Sequence, residues 1–222
     1  MELKANRTIG REGANKLSGN GLVHTLDMIL KWVTRITAVN LLWIIFSLIG
    51  LIVGGVFPAT VASLSISRKW LIGEIDIPIW ETFKDTFKRE FIISNLSGWL
   101  LVIVGSILYA NYKVLLTMSG KFLLISTFAF YLLLLFYFLL VIWIFPLISH
   151  YNGTMMQHIK NAIILGLGKI HISLASLLWL FLVAYFSLKL PSSLLFVSVA
   201  IGSLGWAWIS LRTFNVLDQK KT

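Results

Sequence analysis

This chain of 222 residues holds four histidines and no cysteine, the usual nitrogen and sulfur ligands of zinc. His24, His150, His158 and His171 are scattered. His150 and His158 lie eight apart and share a face if the segment is helical. Two ligands are too few for a zinc site, so interfacial histidines are the plainer reading. Without cysteine there is no thiolate nucleophile, zinc ribbon, iron–sulfur site or disulfide. No HExxH, GxSxG or Walker lysine motif occurs, and Gly166-Leu167-Gly168-Lys169 carries only the tail of a phosphate loop. We therefore expect no enzyme, no metal and no cofactor.

The residues that remain for chemistry are those of recognition. Gly73 to Ser94 reads GEIDIPIWETFKDTFKREFIIS. Asp76 and Pro78 are helix-start signals. Trp80, Phe83, Phe87 and Phe91 then follow at i, i+3, i+7 and i+11, one apolar stripe on a helix over 76–92. Glu81, Lys84, Asp85, Lys88 and Arg89 occupy the other faces, with Asp85 and Arg89 in the favourable acid-first order. Such a helix either lies on headgroups or on the protein's own bundle, or it docks a partner with its aromatic residues as anchors.

Inside the apolar segments the polar candidates are few. Asn40 needs a hydrogen-bond partner that lipid cannot offer. Interhelical glue is its ordinary role, and a ligand contact is the alternative. Of nine tryptophans, Trp32, Trp70, Trp80, Trp99, Trp143 and Trp208 are expected near an interface, as an aromatic belt. Trp43 and Trp179 lie deeper, and with Asn40 they are the candidates for a ligand path. Gly50 and Gly54 form a GxxxG pair, and Ala59, Ser63 and Ser67 form a ladder of small residues. These let helices approach closely, within one chain or as a homo-oligomer.

The elements that carry these residues follow from composition. Hydrophobic residues make up 58 % and charged residues 13 %, and mean hydropathy is +0.87. A soluble domain has roughly 45–50 % and about 25 %. The chain therefore reads as an all-α helical bundle integral to a membrane. Residues 1–20 are polar and read as a disordered tail. They contain no signal-peptide core. Residues 22–35 suit an amphipathic helix at the membrane surface. Apolar runs follow at 36–57, 58–72, 93–112, 122–146, 169–188 and 191–211, five of them near the roughly 20 residues a span needs. The second run is short. The membrane domain thus covers 21–215, and 216–222 is a second polar tail.

Charge placement gives the sidedness. If all six runs cross and the N-terminus is inside, 16 of the 19 Lys and Arg residues fall inside. Lys113, Lys121 and Lys189 alone fall outside. If the first run crosses and the second does not, the split becomes 9 against 10. The positive-inside rule favours the first arrangement, with both termini cytoplasmic. It also accounts for the net charge of +10 without nucleic acid. None of the six runs contains Asp or Glu, which argues against an ion-coupled carrier or a charged selectivity ring. The turn at Gly54-Gly55-Val56-Phe57-Pro58 would lie outside. Phe145-Pro146 echoes Phe57-Pro58, but six crossings put the two pairs on opposite faces.

At residues 27–100 the chain resembles the YesL family of bacterial membrane proteins of unknown function. The matching stretches are Asn40-Leu41-Leu42-Trp43, Phe57-Pro58-Ala59-Thr60, Arg68-Lys69-Trp70 and Ile77-Pro78-Ile79-Trp80, with Phe83, Phe87 and Phe91 behind them and Asn95 and Gly98 opening the next run. Phe145-Pro146 and Lys160-Asn161-Ala162 are similar to the family's second half. The resemblance implies a multi-pass protein of a Gram-positive cytoplasmic membrane. Family members typically accompany genes for polysaccharide use and oligosaccharide ABC importers. It thus implies an accessory or regulatory component of carbohydrate uptake, whose partners are the lipid bilayer and importer subunits (permease, ATPase or binding protein). Trp80, Phe83, Phe87 and Phe91 are the expected docking residues. A stand-alone transporter of a small or sugar-like solute is the alternative, with Asn40, Trp43 and Trp179 along its path.

Overall fold

The computed structural model describes residues 2–117, 119 and 122–219, with the side chains of 2–24, 194, 195 and 218 outside that description. The tail expected over 1–20 carries side chains outside the description. Among the described residues all regular structure is helical: α1 (Glu2–Ile49), α2 (Val56–Leu71), α3 (Ile79–Arg89), α4 (Phe91–Leu115), α5 (Leu123–His150), α6 (Met155–Gly168), α7 (Ile170–Lys189), α8 (Pro191–Phe196) and α9 (Ser198–Asp218). Among the described residues four segments are long and apolar enough to cross a membrane: Thr25–Ile49, Phe91–Leu115, Leu123–His150 and Ile170–Lys189.

Three boundaries differ from the sequence expectation. The surface helix over 22–35 and the first apolar run are one continuous helix, because no breaker lies between them. That helix stops at Ile49 rather than 57. The last run is divided between α8 and α9 at Val197, whose backbone leaves the helical region at φ −143° and ψ −34°. The second run forms α2, 16 residues long, which is about 24 Å at 1.5 Å per residue.

The turn after α1 explains its early stop. Leu51 and Ile52 adopt positive φ values of 55° and 64°. That conformation costs a side-chain-bearing residue roughly 1–2 kcal/mol, so neighbours must hold it. Ile52 N–H donates to Ser47 O at 2.7 Å, and Gly54 N–H to Gly50 O at 2.9 Å. A β-carbon on Gly55 would stand 2.5 Å from Ser47 O and 2.6 Å from Phe46 O, so only glycine lets the chain double back. Gly50 likewise packs against the Gly55 backbone. The glycine pair thus serves a turn rather than a helix–helix seam.

From this turn α2 returns through the middle of the molecule, in contact with α1, α3, α4, α5 and α9. Its small residues permit that crowding: Ala59, Ala62, Ser63 and Ser67 are fully buried. Ala59, Ala62, Ile66 and Trp70 face Val39, Leu42 and Phe46 of α1 and Phe83 and Phe87 of α3. Val61 and Leu64 face Ile144, Phe145 and Ile148 of α5, with Trp206 and Ala207 of α9.

One set of contacts bears on the six-crossing arrangement. Asn95 Nδ2 of α4 donates to Gly54 O at 2.9 Å, and Trp99 Nε1 to Val53 O at 3.2 Å. Phe57 stacks on Phe145 at 6.0 Å and 9° between planes, and its ring rests on Gly98. The α1–α2 turn therefore lies level with the start of α4 and the end of α5. Six full crossings would separate them by the bilayer core, about 30 Å. The two Phe-Pro pairs that such crossings place on opposite faces stand together. Beyond Trp99, α4 continues for 16 more residues, about 24 Å. In that outer stretch the α4–α5 groove of about 540 Å³ is lined by those two helices alone, among them Gly105, Tyr109, Phe130 and Tyr137.

Candidate functional site

The amphipathic helix α3 is where recognition chemistry was expected. Its stripe forms as the spacing requires, but the stripe faces inward. Phe83 is fully buried, and Phe87 is 8 % exposed. Phe46 of α1 is the hub: its ring lies 5.2 Å from Phe83, 4.9 Å from Phe87 and 5.7 Å from Trp80. Phe87 in turn meets Phe91 at 5.7 Å. This corrects the reading of Phe83 and Phe87 as partner anchors. The apolar surface of Ala59, Ala62 and Ile66 on α2 needs a cover, and these rings supply it. Trp80 and Phe91 keep exposed surface, 53 % and 38 %. The outward face presents Glu81, Lys84, Asp85 and Lys88. Burying one phenylalanine contributes about 1.5–3 kcal/mol, so lifting α3 off the bundle is costly.

The entry to α3 is pinned as well. Arg35 Nη2 of α1 meets Asp76 Oδ1 at 2.5 Å, with the Arg35 side chain 20 % exposed. Lys69 Nζ lies 3.6 Å from Glu74 Oε2. The pairs draw the 72–78 connection against the middle of α1 and the end of α2.

The residues expected along a ligand path all make interhelical bonds. Asn40 is fully buried. Its Oδ1 accepts from Val199 N–H at 2.9 Å and Ala200 N–H at 3.4 Å. A helix leaves its first N–H groups without partners, and Asn40 caps α9 from another helix where the α8–α9 break exposes them. Trp43 Nε1 donates to Thr60 Oγ1 at 3.1 Å. Trp179 Nε1 donates to Gly202 O at 3.1 Å, and its indole fills the space a β-carbon on Gly205 would take. Ser67 and Ser203 hydroxyls pair at 3.0 Å. The three path candidates are thus separate joints, α1 to α9, α1 to α2 and α7 to α9. An apolar groove of about 410 Å³ does open between α2, α7 and α9, lined by Thr60, Val183, Ser187 and Trp206 among others.

The expected aromatic belt is also partial. Trp80 and Trp208 are exposed, but Trp143 is fully buried and Trp70 is 4 % exposed. Trp143 Nε1 donates to Ser173 Oγ at 2.8 Å, tying α5 to α7. Trp70 packs edge-on against Trp32 at 5.7 Å.

A polar corner forms where α2 and α5 end. Arg68 Nη1 donates to His150 Nδ1 at 3.1 Å, so that imidazole nitrogen carries a lone pair. His150 also stacks on Phe214 at 4.6 Å. Burial pulls the Arg68 guanidinium below its ordinary range, Glu74 opposes the shift and Arg89 adds to it. On the neighbouring α6, His158 is 2 % exposed. Burial lowers its pKa, against smaller opposing effects of Glu90 and the Gly153 backbone. Among the described residues no three His, Cys, Asp or Glu side chains gather as a metal site.

Residues 36–112 match the family model described as "Protein of unknown function, DUF624". Over 202 residues, 91 % of this chain and 93 % of the relative, the sequence is 29 % identical to Uncharacterized protein YesL of Bacillus subtilis (strain 168). It is 31 % identical over 172 residues to Uncharacterized protein YteU of the same organism, covering 77 % of each chain. Uncharacterized protein YesV of that organism is 30 % identical over 183 residues, 82 % of this chain and 88 % of the relative. No solved structure matches. The matched region holds the α1–α2 hairpin, the aromatic stripe of α3 and most of α4, the parts whose packing is described above. The chain belongs to the DUF624 family of YesL-like proteins.

Proposed function

We propose that this protein is a bacterial plasma-membrane accessory or regulatory subunit of oligosaccharide ABC-type uptake, which presents the outer face of α3 to an importer subunit. The observation that carries the reading is the fixed orientation of α3. Phe46 holds its aromatic side, so the helix offers a rigid face of Glu81, Lys84, Asp85 and Lys88 beside the exposed Trp80. A rigid charged face with one aromatic anchor is the form of a docking surface rather than of a catalytic or transport centre. The carbohydrate context comes from the company that YesL-like proteins keep. A self-contained transporter is the weaker reading, because Asn40, Trp43 and Trp179 are already engaged in joints.

The sidedness belongs to the same proposal. The α1–α2 hairpin enters and leaves the bilayer on the cytoplasmic face, with Leu51, Ile52 and Val53 as its apolar tip, while α4 and α5 cross. A hairpin that returns leaves every later loop on the side that two crossings would give it. Lys113 and Lys121, in the connection between α4 and α5, therefore stay outside.

Affinity purification from membranes of cells grown on a complex polysaccharide tests the docking. Importer permease, ATPase or binding protein is expected at near-stoichiometric yield. A Trp80→Ala, Lys84→Glu, Lys88→Glu variant is expected to insert normally and lose that yield. Equal co-purification by the variant, or a wild-type chain that emerges alone, contradicts the proposal. In the second case solute flux through liposomes holding this chain alone becomes the expected activity.

A further inference from the structure

The groove between the outer halves of α4 and α5, about 540 Å³, falls within the roughly 300–1,000 Å³ of small-ligand sites. Each of its unengaged polar groups has a hydrogen to donate. Tyr109, Tyr112 and Tyr137 line it, and none of their hydroxyls makes a hydrogen bond among the described residues. Tyr137 reaches across to α4: a β-carbon on Gly105 would stand 2.6 Å from its hydroxyl. The Ser106 hydroxyl, by contrast, already donates to Val102 O at 2.8 Å. At the mouth Lys113 folds back over Tyr109, with Nζ 5.5 Å from the ring centre.

Lys113 forms no ion pair among the described residues, and the sequence places no acid near it. No Asp or Glu occurs between residues 91 and 217. Glu90 and the acids before it precede the far end of α4, about 35 Å away at 1.5 Å per residue. The acids of α1 stand on a helix that touches neither α4 nor α5 among the described residues. Asp218 ends α9, which meets α5 at Ile142, Trp143 and Phe145, toward its other end. A matching occupant therefore brings an anion and acceptors, and it covers the apolar Leu108, Phe130 and Leu134 as well. A transmembrane helix does not, because its carbonyls are bonded within the helix. A sugar brings as many donors as acceptors. A glycerophospholipid brings a phosphate, ester carbonyls that only accept, and acyl chains.

We propose that the α4–α5 groove binds one anionic glycerophospholipid. Its phosphate lies against Lys113 above Tyr109. Its ester carbonyls lie roughly one helical turn deeper, at the level of Gly105, where the Tyr137 hydroxyl donates to them. One acyl chain then runs along Phe130 and Leu134. The site needs α4 and α5 to cross the bilayer. It is independent of importer docking, because α3 joins the opposite end of α4.

The full-length chain, purified in a non-ionic detergent, is titrated with phosphatidylglycerol and, separately, with phosphatidylcholine of the same acyl chains. Native mass spectrometry counts the lipid retained. Saturation at a single phosphatidylglycerol is expected, at a lower half-saturation concentration than for phosphatidylcholine. Lys113→Gln is expected to raise that concentration about fivefold, the contribution of one lysine near an anionic headgroup, and to remove the preference. Tyr137→Phe is expected to raise it about threefold for both lipids, since both carry the ester acceptor. Lys160→Gln, on α6, removes the same charge elsewhere and is expected to change neither titration. Equal affinity for the two lipids in the wild type overturns the proposal, and so do unchanged titrations in both Lys113→Gln and Tyr137→Phe. A disulfide-linked dimer formed in high yield by Ser106→Cys in membranes also overturns it, by placing a second copy in the groove.

Discussion

The inner half of the molecule and the outer half of the α4–α5 hairpin are built from similar amino acids and behave as opposites. Around α2, five helices converge, and Val39, Ala59, Val61, Leu64 and Phe83 have no exposed surface. Past Leu101, the α4–α5 groove is lined by those two helices, and Ile103, Ile107, Tyr109, Leu124 and Leu133 all keep half their surface or more. In water the second pattern would be an aggregation hazard. In a bilayer it is the surface that acyl chains cover. The contrast separates two functions of hydrophobicity within one chain. In the outer half apolar side chains keep the hairpin in lipid, and their shapes matter little. In the inner half lipid is excluded, so small residues and hydrogen bonds decide which helix meets which.

Substitutions in the two halves should differ accordingly. Phe46→Ala empties the hub of the α3 aromatic cluster. It is expected to cost about 3–5 kcal/mol, read as a lower unfolding midpoint in mixed micelles. Equal stability would show that α3 is not held by this ring. Asn40→Ala removes the acceptor that caps α9. A loss of about 1–3 kcal/mol is expected, together with faster hydrogen exchange at Val199 and Ala200. Ile103→Ala, in the outer half, should stay within about 0.5 kcal/mol in the same assay. A loss as large as that of Phe46→Ala would mean that a protein surface rather than lipid covers α4.

A pH effect sharpens the same contrast. His158 has a lowered pKa in the folded chain because burial disfavours its charged form. Below about pH 6.5 the unfolded chain binds a proton that the folded chain resists. The contribution of a neutral His158 is therefore complete above that pH and is lost as the solution becomes more acid. His158→Gln should flatten this part of the stability profile between neutral and mildly acid pH. A profile that keeps its slope would assign the effect to another group.

Much of this was legible in the residues. Helix content, the apolar runs, the stripe of α3 and the interhelical need of Asn40 all follow from periodicity and from the absence of water in a bilayer. Which way the stripe of α3 would face was not legible, because lipid, the bundle and a partner are equally apolar covers. The early end of α1 was hidden for a different reason. Leu51 and Ile52 are residues that normally avoid positive φ, and part of what holds the turn there is the distant pair of α4 side chains Asn95 and Trp99. The Phe57–Phe145 stack had a sequence signal in its repeated Phe-Pro pair, and the assumption of six full crossings set it aside. The Arg68–His150 pair joins residues 82 positions apart, with no local spacing to announce it.

Single cysteines in this cysteine-free chain test the arrangement of the two halves most directly. Positions 52, 85 and 119 are changed to cysteine one at a time. Intact cells and inside-out vesicles are then treated with a membrane-impermeant maleimide. With a returning α1–α2 hairpin, Asp85→Cys labels only from the cytoplasmic side and Ser119→Cys only from outside. Ile52→Cys, at the hairpin tip within the bilayer, labels from neither. Labelling of position 52 from outside would mean that α1 and α2 cross completely, and would contradict a turn held level with the start of α4.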